Sequence, residues 1–168
     1  MPTTDQDWAS AYAKQALSDL ATRDLLAEAG IHKCHRLHFL QMATEKVCKA
    51  YLTTRNGHEK VRKTHAYVEK NLPLIARMLY SNLNDQNRIK PWQMSAIHKI
   101  SQEIEVLAPA CDDGGAREDN SEYPWEDGQG NVRVPCEYNF PKVDDGPQNG
   151  AFVLLIKVLR AAAKAYAA

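Results

Sequence analysis

The stretch CHRLHFLQMATEKVCKAY, Cys34 to Tyr51, carries three cations, two His and a Glu between its apolar residues. At 100° per residue, Leu37, Leu40, Ala43, Val47, Ala50 and Tyr51 fall on one side of a helix and make a core-facing stripe. His38, Gln41, Glu45 and Lys49 form a second stripe roughly opposite. Glu45 precedes Lys49 by four positions, the orientation that favours an ion pair worth about 0.2–0.5 kcal/mol. The polar stripe therefore reads most simply as a solvated face with one salt bridge.

Outward from this helix, which spans about His32 to Thr54, four more segments have helical signals. The first runs from about Asp7 to Ala29 and stops at Gly30, a good residue for the position after a helix. The third opens with Thr64 as N-cap and continues to about Leu83, with Val68, Leu72, Ile75 and Leu79 at the spacing of one face. Pro73 is expected to kink or break it. The fourth starts at Pro91 and stops before Pro109, and the fifth covers about Asn149 to Tyr166. This pattern predicts an all-α chain, an antiparallel bundle of four to five helices in one domain, residues 1–168.

Between the last two helices, residues 110–150 lose the helical period among Gly, Pro and Asp. They hold ten acidic and three basic residues, a balance of −7, which leaves +7 on the rest of a chain of zero net charge. A loop of this length is normally functional or disordered. Tyr123, Trp125, Tyr138 and Phe140 argue for an ordered excursion pinned to the bundle, and NVRVPCEYNF suits a short strand. Opposite charge is expected to draw this insert over the basic surface, including Arg62 and Lys63.

No apolar run reaches the roughly 20 residues of a membrane span, and MPTTDQDWAS lacks the features of an export signal. Four Cys without a CxxC pair suit a reduced, cytoplasmic protein. His32, Cys34, His35 and His38 crowd together, yet at these spacings they rotate around a helix and do not converge on a tetrahedral metal site. A Cys34–His38 nucleophile pair would need an orienting third group that the sequence does not identify. No GxxxxGK[ST] loop or Rossmann glycine pattern indicates a cofactor. The run RNGHEKVRKTH, Arg55 to His65, sets four cations at a helix junction, where they can meet phosphates or solvent.

A helix ending at Gly30, a second reading HFLQMATEKVCKAYL, and a third reading THAYVEKNLPLIARML together resemble the HEPN family (higher eukaryotes and prokaryotes nucleotide-binding). Glu45 and Lys49 match the family's Glu and Lys four apart, and His65 matches a His that opens its next helix. The resemblance implies an antiparallel bundle, often dimeric, linked to RNA. Its members include metal-independent ribonucleases of toxin–antitoxin and defence systems, and non-catalytic relatives. The nucleases carry an Arg followed four to six residues later by His. Here Arg62 stands three before His65, Arg55 ten before it, and Arg88 ten before His98, so that spacing is missing.

The combined expectation is a cytoplasmic, homodimeric, non-catalytic module that associates with RNA or a nucleotide in a defence or toxin–antitoxin locus, without metal or cofactor. Arg36, His38, Glu45, Lys49, Arg62 and His65 are its candidate ligand-binding residues. Lys and Arg would meet phosphate, and His38 with Glu45 would form a polar network. One rival is a ribonuclease with a rearranged His and Arg site. Another is a protein-interaction module that meets its partner through the acidic aromatic insert.

Overall fold

The computed structural model describes residues 3–63, 67–81, 89–109 and 116–168. Helix α1, Asp5–Glu28, begins where Thr4 and Asp7 cap each other reciprocally: the Asp7 amide donates to Thr4 Oγ1 and the Thr4 amide to Asp7 Oδ2. The Thr4 hydroxyl and amide both hold the Asp7 carboxyl below its usual range. α2, Lys33–Asn56, follows a turn in which Gly30 takes φ 66°, a conformation that costs glycine little. A one-turn helix α3, His58–Val61, follows directly and was not expected from the sequence. α4 covers Val68–Ser81, α5 Pro91–Val106 and α6 Gly150–Ala167. Thr64 and Leu83, the expected ends of the third helix, lie outside the described residues. α4 continues as one helix through Pro73, so the break that Pro73 could have caused does not occur.

Contacts between helix ends give the bundle its directions. Asp5 at the start of α1 accepts from the His58 amide beyond the end of α2, so these two helices are antiparallel. Asp24, near the end of α1, pairs with Arg160 of α6, while Ser10 donates to the Ala167 carbonyl, which makes α6 antiparallel to α1. Glu69 of α4 meets Gln102 and Glu105 of α5, so α4 and α5 form an antiparallel hairpin. Small residues let α1 lie close along α2: Ala9, Ala13 and Ala16 are fully buried. Inside that seam Lys46 Nζ sits 2.6 Å from Asp19 Oδ2. Leu37, Leu40, Val47, Leu72, Ile75, Ile97, Ile104, Leu155 and Leu159 build one core among α2, α4, α5 and α6. Among the described residues, no helix is long and apolar enough to cross a membrane.

The insert is ordered where it is described, and it joins this core. Trp125–Glu126 pairs antiparallel with Val132–Arg133 as a minimal hairpin, and a 3-10 turn follows at Pro135–Glu137. Trp125, Phe140 and Val143 are buried in the main core, and Tyr138 packs against it. Tyr123, expected to help pin the insert, is 56% exposed. The hairpin turn closes on Asp127, whose carboxylate accepts from the Gln129 and Asn131 amides and from Arg133. Led by the Asn131 amide, these bonds draw its carboxyl down to about 2. Burial alone would raise the Asp119 carboxyl, but Lys142 and the Tyr138 hydroxyl donate to it and hold it below its usual range.

A carboxyl depressed on folding stabilises the folded chain above its unfolded value of about 4. That contribution is lost as pH falls through the folded value, here about 2 for Asp127. The wild type should therefore lose thermal stability between pH 4 and about 2 more steeply than Asp127→Asn. Parallel melting curves check this, and equal slopes would mean that Asp127 is not the group responsible.

Candidate functional site

The five candidate residues that are described, Arg36, His38, Glu45, Lys49 and Arg62, do not assemble into one site. Along α2, a rise of about 1.5 Å per residue puts His38 and Lys49 some 16 Å apart. Glu45 and Lys49 do form the expected ion pair, at 3.1 Å. Their stripe is not a solvated face, however. Gln41 is only 4% exposed and donates to Glu45, and both charged side chains are largely covered. The reason is the position of α2, which is packed by α1, α4, α5 and α6 together. Glu45 and Glu105 both lie near Cys48, whose thiol is pushed up first by burial and then by these two carboxylates.

Arg36 is also committed within the chain. Its Nε and Nη2 meet the Asp145 carboxylate at 2.9 and 3.2 Å, and its Nη1 donates to the Ile31 carbonyl. Arg23 approaches the same carboxylate at 3.8 Å, and Lys33 Nζ donates to the carbonyls of Asn139 and Phe140. The acidic insert thus docks on the N-terminal half of α2. Its described part, residues 116–150, docks away from Arg62 and Lys63, which are exposed near the opposite end of that helix. Charge attraction operates as expected, but the buried aromatics decide where the insert lands.

Four exposed cations lie close together in the chain at the corner joining α2 to α3. Gly57 turns the chain there at φ 84°. Arg55, Lys60, Arg62 and Lys63 are all exposed. Arg62 pairs with Glu59 at 3.0 Å, and Arg55 lies over the Tyr51 ring, 4.7 Å from its centroid. Nearby acids are already occupied: Asp5 holds the His58 amide and Asp7 caps α1. His58 lies flat beneath Trp8, with 3.9 Å between ring centroids and 4° between planes. It is 8% exposed, and among the described residues its buried Nδ1 has no hydrogen-bond partner. His65 lies outside the described residues.

His38 borders a different feature, an open cleft of about 440 Å³ between α2 and the insert. Cys34 and His35 share its α2 wall, and Glu122, Tyr123, Pro135 and Cys136 stand on the insert side. His38 Nδ1 lies 3.3 Å from Glu122 Oε1, without the alignment of a hydrogen bond. Glu122 and Cys136 were missed from the sequence because they come from an irregular loop far along the chain, where no periodicity reports on neighbours. Among the described residues, no Lys or Arg lines the cleft. Among the described residues, no group of three or more His, Cys, Asp and Glu is arranged to hold a metal ion.

Compared with protein-family models, with curated proteins and with solved structures, the chain matches none.

Proposed function

We propose that this chain is a non-catalytic, HEPN-type module that binds RNA or a nucleotide through its basic α2–α3 corner, in the setting of a defence or toxin–antitoxin locus. The observation that carries the reading is the exposure of Arg55, Lys60, Arg62 and Lys63 together, beside the half-open face of Trp8. Cations there can displace condensed counterions from a phosphate backbone, and an aromatic face can stack a base. The resemblance of α1 to α4 to the HEPN pattern supplies the choice of RNA over other anions.

The absence of catalysis rests on the missing Arg and His spacing and on how the described histidines are placed. His58 is one turn from Arg62 but buried under Trp8, and His38 faces a carboxylate. Fluorescence anisotropy with a short labelled single-stranded RNA tests both halves of the reading. Three or four phosphate contacts should give a log–log salt slope of about −2 to −3. Changing all four cations to Gln should weaken binding about tenfold or more at low salt and flatten that slope. The RNA should stay intact throughout. Equal binding by the variant, or cleavage above background, would overturn the proposal.

The module acts as a homodimer in this reading. Tyr67, at the start of α4, Leu74 in α4 and Trp92 in α5 expose apolar area. Light scattering should give twice the chain mass, and a monomer at tens of micromolar would remove the dimer from the proposal. The cleft, with Tyr123, Val132 and Val134 exposed on the insert, favours a partner-protein contact as the second reading.

A further inference from the structure

We propose that Cys136 is a thiol-oxidation site with Cys34 as its resolving partner, so that glutathione disulfide links the two and staples the insert to α2. Cys34 stands in the first turn of α2 and Cys136 in the 3-10 turn of the insert. Both line the same cleft, and the 3-10 turn packs directly against α2. Their access to solvent differs sharply. Cys136 is exposed, whereas Cys34 is 2% exposed.

That difference sets the order of events. A soluble disulfide reaches Cys136 first, because thiol–disulfide exchange needs access by the attacking sulfur. The Cys136 thiolate attacks one glutathione sulfur, forms a mixed disulfide and releases one glutathione as thiolate, which takes up the proton. Cys34, once deprotonated, then attacks Cys136 Sγ and expels the second glutathione. Two protein thiols are oxidised to one disulfide, and one glutathione disulfide is reduced to two glutathione thiols. Burial pushes the Cys34 thiol up, with a further push from the nearby Cys136, so the second step is the slow one.

Cys48 does not compete, since it is fully buried among α2 and its neighbours. The pairing would close a long loop and tie the docked insert to the helix beneath it, independently of what the basic corner binds.

The test uses the full chain with Cys111→Ser, equilibrated in glutathione redox buffers and quenched with acid. Intact mass should fall by two hydrogens, and a non-reducing digest should contain Cys34 joined to Cys136. The melting temperature should rise by about 5 °C or more on oxidation. Cys34→Ala should instead stop at a glutathione adduct on Cys136, and Cys136→Ala should leave Cys34 unmodified; circular dichroism checks that both fold. A persistent glutathione adduct with Cys34 present would overturn the proposal. So would a disulfide-linked dimer through Cys136, or oxidation of Cys34 in the Cys136→Ala protein.

Discussion

Trp125→Ala is expected to cost about 3–5 kcal/mol and to release the insert from the bundle. Trp125 is 4% exposed and meets Tyr138 edge-on, 5.0 Å between centroids, with Phe140 at 6.4 Å. These rings join the core that contains Leu155 and Ile104, so truncation leaves a cavity under the hairpin and removes the aromatic contacts that fix it. Urea denaturation should show a lower midpoint, and limited proteolysis should cut first between residues 116 and 149. Trp125→Phe should recover more than half of the loss. A cost below about 1 kcal/mol would mean that the insert is held by something other than its aromatics.

Asp145→Ala is expected to cost about 2–4 kcal/mol, somewhat less than a fully buried ion pair because Arg36 retains some solvent contact. The Asp145 side chain is 8% exposed and holds two guanidiniums, one of which, Arg23, also lies 4.9 Å over the Phe152 ring. Without the carboxylate, Arg36 stays partly buried with no counter-charge, while Arg23 keeps only its pair with Asp24. A double-mutant cycle with Arg36→Met should show coupling, the double variant being more stable than the sum of the single losses. Simple additivity would show that the pair adds nothing to docking. RNA affinity should be unchanged in Arg36→Met, since its guanidinium faces the insert and not the basic corner.

Helical boundaries were legible because a helix depends on neighbours three and four residues away. The apolar positions of α2 and α6, the start of α5 at Pro91 and the stop at Gly30 all follow from that short-range rule. The Glu45–Lys49 pair is likewise local, and it forms as its spacing indicates. Period alone, however, describes one helix in isolation. Gln41, Glu45 and Lys49 read as a solvent face, and the bundle covers them because α2 has partners on most of its sides. The number of neighbours around a helix is not encoded in its own repeat.

Charge counting met the same boundary. The balance of −7 against +7 indicated attraction between insert and body, and ion pairs to Arg36 and Arg23 follow it. Coulomb attraction is non-directional, so it could not say which cations would be engaged. Burial of Trp125, Phe140 and Val143 selects the N-terminal half of α2, leaving Arg62 and Lys63 open at the other end. The sequence by itself determined an all-α chain, its main helices and the ordered character of the insert. Tertiary packing alone decided which cations remain free, and it brought His38 to Glu122 and Cys34 to the cleft shared with Cys136. Those encounters join residues distant in the chain, and only the folding of the whole core makes them neighbours.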